Sequence, residues 1–156
     1  MNTNFTNDIY QKLVLKLEER SRLVGVMGLM HWDQEVIMPK GSVEARAKQM
    51  AALARIIHEK SIDPDYGTLI DKLINSGRSE FSKVEWCNIS EAKRDFDLET
   101  KVPIELIQEL AELSSLGHQI WAKAREDNSF SDFAPTLERL IELNQLVVFE
   151  HQLYLL

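Results

Sequence analysis

Helix punctuation recurs along this chain so regularly that no stretch is left over for a sheet. Asp63-Pro64 joins a capping carboxylate to a proline whose missing N–H is harmless in a first turn. Ser82 and Glu85 stand three apart, the spacing at which side chain and backbone exchange capping bonds. Pro103 opens a further helix at a first-turn position, while Ser76-Gly77 and Asp127-Asn128 read as stops. Between these marks apolar residues recur every three or four positions. Ala47, Met50, Ala54 and Ile57 make one such stripe, and Ile107, Leu110, Leu113, Ile120, Trp121 and Ala124 another. The pattern predicts an all-α fold of five to six antiparallel helices in a bundle-like array, one helical domain over 1–156.

The first helix is expected from about Asn7 to Trp32, with Ile9, Leu13 and Leu17 inward. From Leu23 to Met30 it turns apolar all round, which predicts a buried helix centre. Gly25 and Gly28 there imply either a closely approaching helix or a kink. Ser42 is the expected N-cap of a second helix from Val43 to about Lys60, with Glu44 and Lys48 as an i,i+4 pair. Trp86 and Trp121 lie on apolar stripes and are expected in the core. The last helix should begin near Ser131-Asp132. The apolar end Leu153-Tyr154-Leu155-Leu156 carries no capping signal. Such an end suggests a cut edge or a partner surface, including one for a homo-oligomer.

Charge and composition narrow the function. A net charge of -7 argues against nucleic acid and anionic membranes as partners, since phosphate contacts need clustered Lys and Arg. No apolar run approaches the roughly 18 residues of a membrane span, and the first ten residues lack a signal-peptide pattern. A single cysteine, Cys87, cannot close an internal disulfide and is expected as a small, partly buried hydrophobe, consistent with a cytoplasmic protein.

Metal chemistry would draw first on the histidines, His31, His58, His118 and His151. A zinc peptidase helix needs two histidines four apart with Glu beside the first. His58-Glu59 has Ile62 where the second imidazole should stand, and no two histidines are closer than the 27 positions between His31 and His58. A di-iron bundle needs Glu-x-x-His twice, and the residues three before the histidines are Gly28, Arg55, Ser115 and Val148. Neither a nucleophile elbow nor a phosphate-cradling loop appears. Catalytic, cofactor and metal residues are therefore assigned to none. His31, Trp32, Asp33 and Gln34, followed by Glu35, either line a groove or form a polar network that locks the helix end with Trp32 in the core.

His31-Trp32-Asp33-Gln34-Glu35 followed by Met38-Pro39-Lys40-Gly41 resembles the amino-terminal region of the carboxypeptidase Taq family, the thermostable zinc metallocarboxypeptidases. The likeness begins at Tyr10-Gln11-Lys12-Leu13 and continues through Glu44-Ala45-Arg46-Ala47 and Glu91-Ala92-Lys93-Arg94-Asp95. It includes Thr100-Lys101-Val102-Pro103 and Phe133-Ala134-Pro135 with Leu137-Glu138, and reaches about Leu143, beyond which the resemblance implies a more basic, aromatic segment and the tail 144–156 is atypical. It implies the amino-terminal part of a larger helical metallopeptidase that removes carboxy-terminal residues from peptides. It also implies that the zinc site, with its H-E-x-x-H and third Glu, lies beyond this chain, so no family catalytic residue maps here. The matching part would form one wall and the cover of a deep groove, with peptide as substrate only in a complete enzyme. By itself the chain is expected to be inactive. A stand-alone helical interaction module is the alternative, and a separately encoded catalytic chain a third possibility.

Overall fold

The computed structural model describes residues 3–152, with side-chain surroundings for 6–150. Six α-helices follow one another: α1 Thr3–Val36, α2 Val43–Ser61, α3 Pro64–Ser76, α4 Lys83–Glu99, α5 Ile104–Glu126 and α6 Phe130–Gln152. No strand occurs among the described residues, so the all-α expectation holds. The contacts divide into two compact units, one of residues 3–24 with 57–101 and the other of 25–56 with 102–152.

In the first unit the punctuation acts as read. The Asp63 carboxylate accepts from the Asp65 N–H at 2.9 Å, and Pro64 occupies the first turn of α3. Gly77, at φ 86, ends that helix in a conformation that a side chain would resist. Ser82 and Glu85 form the complete capping box of α4. Tyr66 and Gly67 near the start of α3 meet Phe96 near the end of α4, so the two helices run antiparallel. Leu13, Ile70, Leu73 and Ile89 are fully buried between α1, α3 and α4, each contributing about 1.5–3 kcal/mol of apolar transfer energy.

In the second unit α5 and α6 form a helical hairpin. Its turn is a Schellman cap: the Ser129 N–H donates to the Ala124 carbonyl at 2.8 Å and the Asn128 N–H to that of Arg125 at 3.3 Å. Asn128 takes φ 51, the left-handed conformation that asparagine tolerates. Gly117 of α5 lies against Thr136 and Leu140 of α6, and Glu109 pairs with Arg139, which fixes the antiparallel register.

Several expectations need correction. Val26 and Leu29 are 47% and 68% exposed, so the apolar centre of α1 is not buried among the described residues. A Cβ at Gly25 or Gly28 would have no neighbour within 4 Å, and α1 continues unbroken through both, so neither glycine serves a close approach. Periodicity registers apolarity but cannot say what covers it. Trp121 is 40% exposed and belongs to the surface rather than the core, whereas Trp86 is half-buried against Phe81. Cys87 lies in α4 as expected but is exposed. Pro103 stands at the N-cap rather than inside the first turn, and Lys40–Ser42 form a 3-10 turn running directly into α2. Leu153-Tyr154-Leu155-Leu156 lies outside the described residues.

Candidate functional site

The end of α1 in the second unit carries several polar contacts to residues distant in sequence. Gln34 is buried, and its side chain closes a two-bond ring with α5. Its Nε2 donates to the Ser115 carbonyl at 3.1 Å, and the Ser115 hydroxyl donates to its Oε1 at 2.6 Å. Asp33, half-buried, accepts a short hydrogen bond from Arg46 Nη2 of α2. The same guanidinium donates from Nη1 to the Met30 carbonyl at 2.7 Å and from Nε to Gln49 Oε1 at 3.3 Å. A cation there also opposes the negative end of the α1 dipole.

One turn beyond Ser115 on α5, His118 Nε2 stands 2.7 Å from Glu35 Oε2. The other ring nitrogen, Nδ1, is buried with no hydrogen-bond partner among the described residues. The imidazole lies beside Trp121, with ring centroids 5.8 Å apart, and the Arg125 guanidinium covers the far indole at 5.4 Å. Positions 115, 118, 121 and 125 thus lie along one side of α5, as helical spacing requires.

Of the four residues singled out from sequence, the structure ties two into this arrangement. Asp33 borders a cleft of about 270 Å³ shared with Ile37, Met38, Arg46 and Gln49. Gln34 is fixed to Ser115. His31 is exposed, and Trp32 is 55% exposed, which overturns the reading of Trp32 as core. Arg46, Ser115 and His118 were missed as site residues. Their partners lie on other helices, and no local spacing announces such pairs.

A second histidine–carboxylate pair lies in the first unit. Buried His58 places Nδ1 3.1 Å from Glu99 Oε2, while Arg20 holds the other Glu99 oxygen at 3.6 Å and donates from Nε to Ser61 at 2.9 Å. Among the described residues no three His, Cys, Asp or Glu side chains converge as a metal site. Each histidine pair offers one nitrogen and one carboxylate, short of the three protein ligands that a catalytic zinc site uses. The donor set of these residues does not fit a hydrolytic metal.

The model of the carboxypeptidase Taq (M32) metallopeptidase family matches residues 12–150. The chain belongs to this family. Thermostable carboxypeptidase 1 of Thermus thermophilus is 31% identical over 137 residues, which cover 87% of this M32 chain and 27% of that protein. Carboxypeptidase 1 of Bacillus subtilis is 31% identical over 139 residues, again 87% of the chain and 27% of the relative. Among solved structures, the BsuCP crystal structure superposes with a TM-score of 0.86 at 26% identity, covering 92% of this chain and 29% of that one. Metallocarboxypeptidase 1 of Trypanosoma cruzi gives 0.66 at 30% identity, with 87% and 27% covered. The chain therefore spans little more than a quarter of the length of the relatives that it matches.

Proposed function

We propose that this chain is the amino-terminal, non-catalytic helical portion of a zinc-dependent metallocarboxypeptidase that removes carboxy-terminal residues from peptides. One observation carries the reading: a family match over nearly the whole chain coexists, among the described residues, with a donor set too small for a hydrolytic metal. Zinc and the water it activates would then be held by residues outside this sequence. The part left to these helices is positional. Arg46 and Asp33 brace the end of α1 beside the small cleft, and the Gln34–Ser115 ring anchors the same turn to α5. A rigid wall of this kind helps a groove to exclude water and hold substrate. The lone Cys87 supports a cytoplasmic setting.

The test is direct. Purified chain supplied with zinc or cobalt should release no amino acid from a peptide carrying a free carboxyl end. Metal-dependent release that persists through repurification would defeat the reading.

A further inference from the structure

Helix α6 is apolar on two sides, and among the described residues one of them is covered. Its inner stripe packs on α5: Leu140 and Thr136 meet Gly117, and Leu143 is fully buried. Its outer stripe runs through Leu137, Ile141, Val148 and Phe149, with the uncharged Asn144 and Gln145 between them. Together with Leu140 these residues line an open groove of about 550 Å³ to which α6 alone contributes. Ile141, Val148 and Phe149 remain 48%, 52% and 57% exposed. A helix apolar on two flanks has the character of one covered on both.

We propose that this outer flank of α6 seats a helix from the remainder of the M32 carboxypeptidase fold. The inference rests on the reading of the chain as one portion of such an enzyme. Three observations select the occupant. The lining positions, apolar except for the uncharged Asn144 and Gln145, recur at three and four residues along a single helix, the ridge spacing that receives another helix. The groove offers no free backbone edge to an extended peptide and no cation to an anion. The chain superposes on BsuCP over 92% of its own length yet covers 29% of that structure, so most of the helical fold is supplied by other residues.

Charge argues against a second copy in this groove. Glu138 and Glu142 border the stripe, and the one cation beside them, Arg139, is shared between Glu142 and Glu109, which leaves the border net negative. Two such borders would repel each other, whereas a partner helix with basic margins would be attracted.

The test co-expresses the full chain with Bacillus subtilis carboxypeptidase 1 from which the matched segment has been deleted. A soluble one-to-one complex is expected by gel filtration with light scattering. Ile141→Glu with Val148→Glu should weaken that complex by about a hundredfold or more by placing charge in an apolar seam. Glu138→Lys, at the exposed border, should weaken it about threefold to tenfold without entering the seam. Circular dichroism of each variant should match that of the parent chain. Absence of a complex, a complex indifferent to all three substitutions, or homodimer formation through this flank would each overturn the assignment. If pairing fails while the chain still releases no amino acids, the docking inference falls and the non-catalytic reading stands.

Discussion

The Gln34–Ser115 ring allows a double-mutant cycle that distinguishes a structural clamp from a polar pair that merely sits at a helix end. Both side chains are buried, with 6% and 1% of their surface exposed, and each supplies the other's hydrogen bonding. Ser115→Ala removes a 2.6 Å bond and strands the Gln34 carbonyl oxygen away from water, at an expected cost of about 1–3 kcal/mol. Gln34→Ala strands the serine hydroxyl, removes a second bond to a carbonyl that α5 itself still satisfies, and opens a void, which should cost about 2–4 kcal/mol. Once one partner is gone, removing the other relieves an unmet bond. The double variant should therefore cost less than the two single losses together, by about 1–2 kcal/mol. Urea titration followed by far-ultraviolet circular dichroism, with an unchanged denaturant slope, measures each corner of the cycle. Losses that add to within about 0.5 kcal/mol would refute the argument, since independent sites behave that way.

Two further outcomes are expected. Gly25→Ala and Gly28→Ala, at open positions in α1, should each stabilise the chain by about 0.5–1 kcal/mol. Gly67→Ala should instead destabilise it, because the new Cβ would lie 2.5 Å from Phe96 Cζ. Overpacking of about 1–3 kcal/mol there exceeds the gain in helix propensity, and thermal melts of the three variants should split accordingly. Acid should expose the Asp63 cap. A hydrogen bond from Lys16, with a second from the Asp65 N–H, holds its carboxyl below the ordinary value. A lowered folded-state pKa gives stability that is present above the unfolded value and is lost as pH falls through the folded one. The stability gap between the parent chain and Asp63→Asn should be about 0.5–1 kcal/mol at pH 7 and close between about pH 5 and pH 3. A gap that persists at pH 2 would contradict this.

What could be read from sequence was local chemistry. The Asp63-Pro64 start, the Ser82–Glu85 box and the stop at Asp127-Asn128 each depend on residues within one turn, so the chain states them without reference to topology. The Glu44–Lys48 pair is legible for the same reason. The candidate site was legible only as a polar segment. Gln34 and Ser115 are 81 residues apart, and nothing in their spacing predicts that α5 crosses the end of α1 there. Burial was misread at Trp32, Trp121 and Leu29 because an apolar position records a demand for cover and leaves the cover unspecified.

The double apolarity of α6 sets a conflict for anyone who handles this protein in isolation. Substituting lysine or serine for Ile141 or Phe149 would reduce the exposed apolar surface, yet under the proposed docking it would erase the side chains that receive the incoming helix. Good behaviour alone and competence to join a larger body would then be opposed in one stretch of sequence.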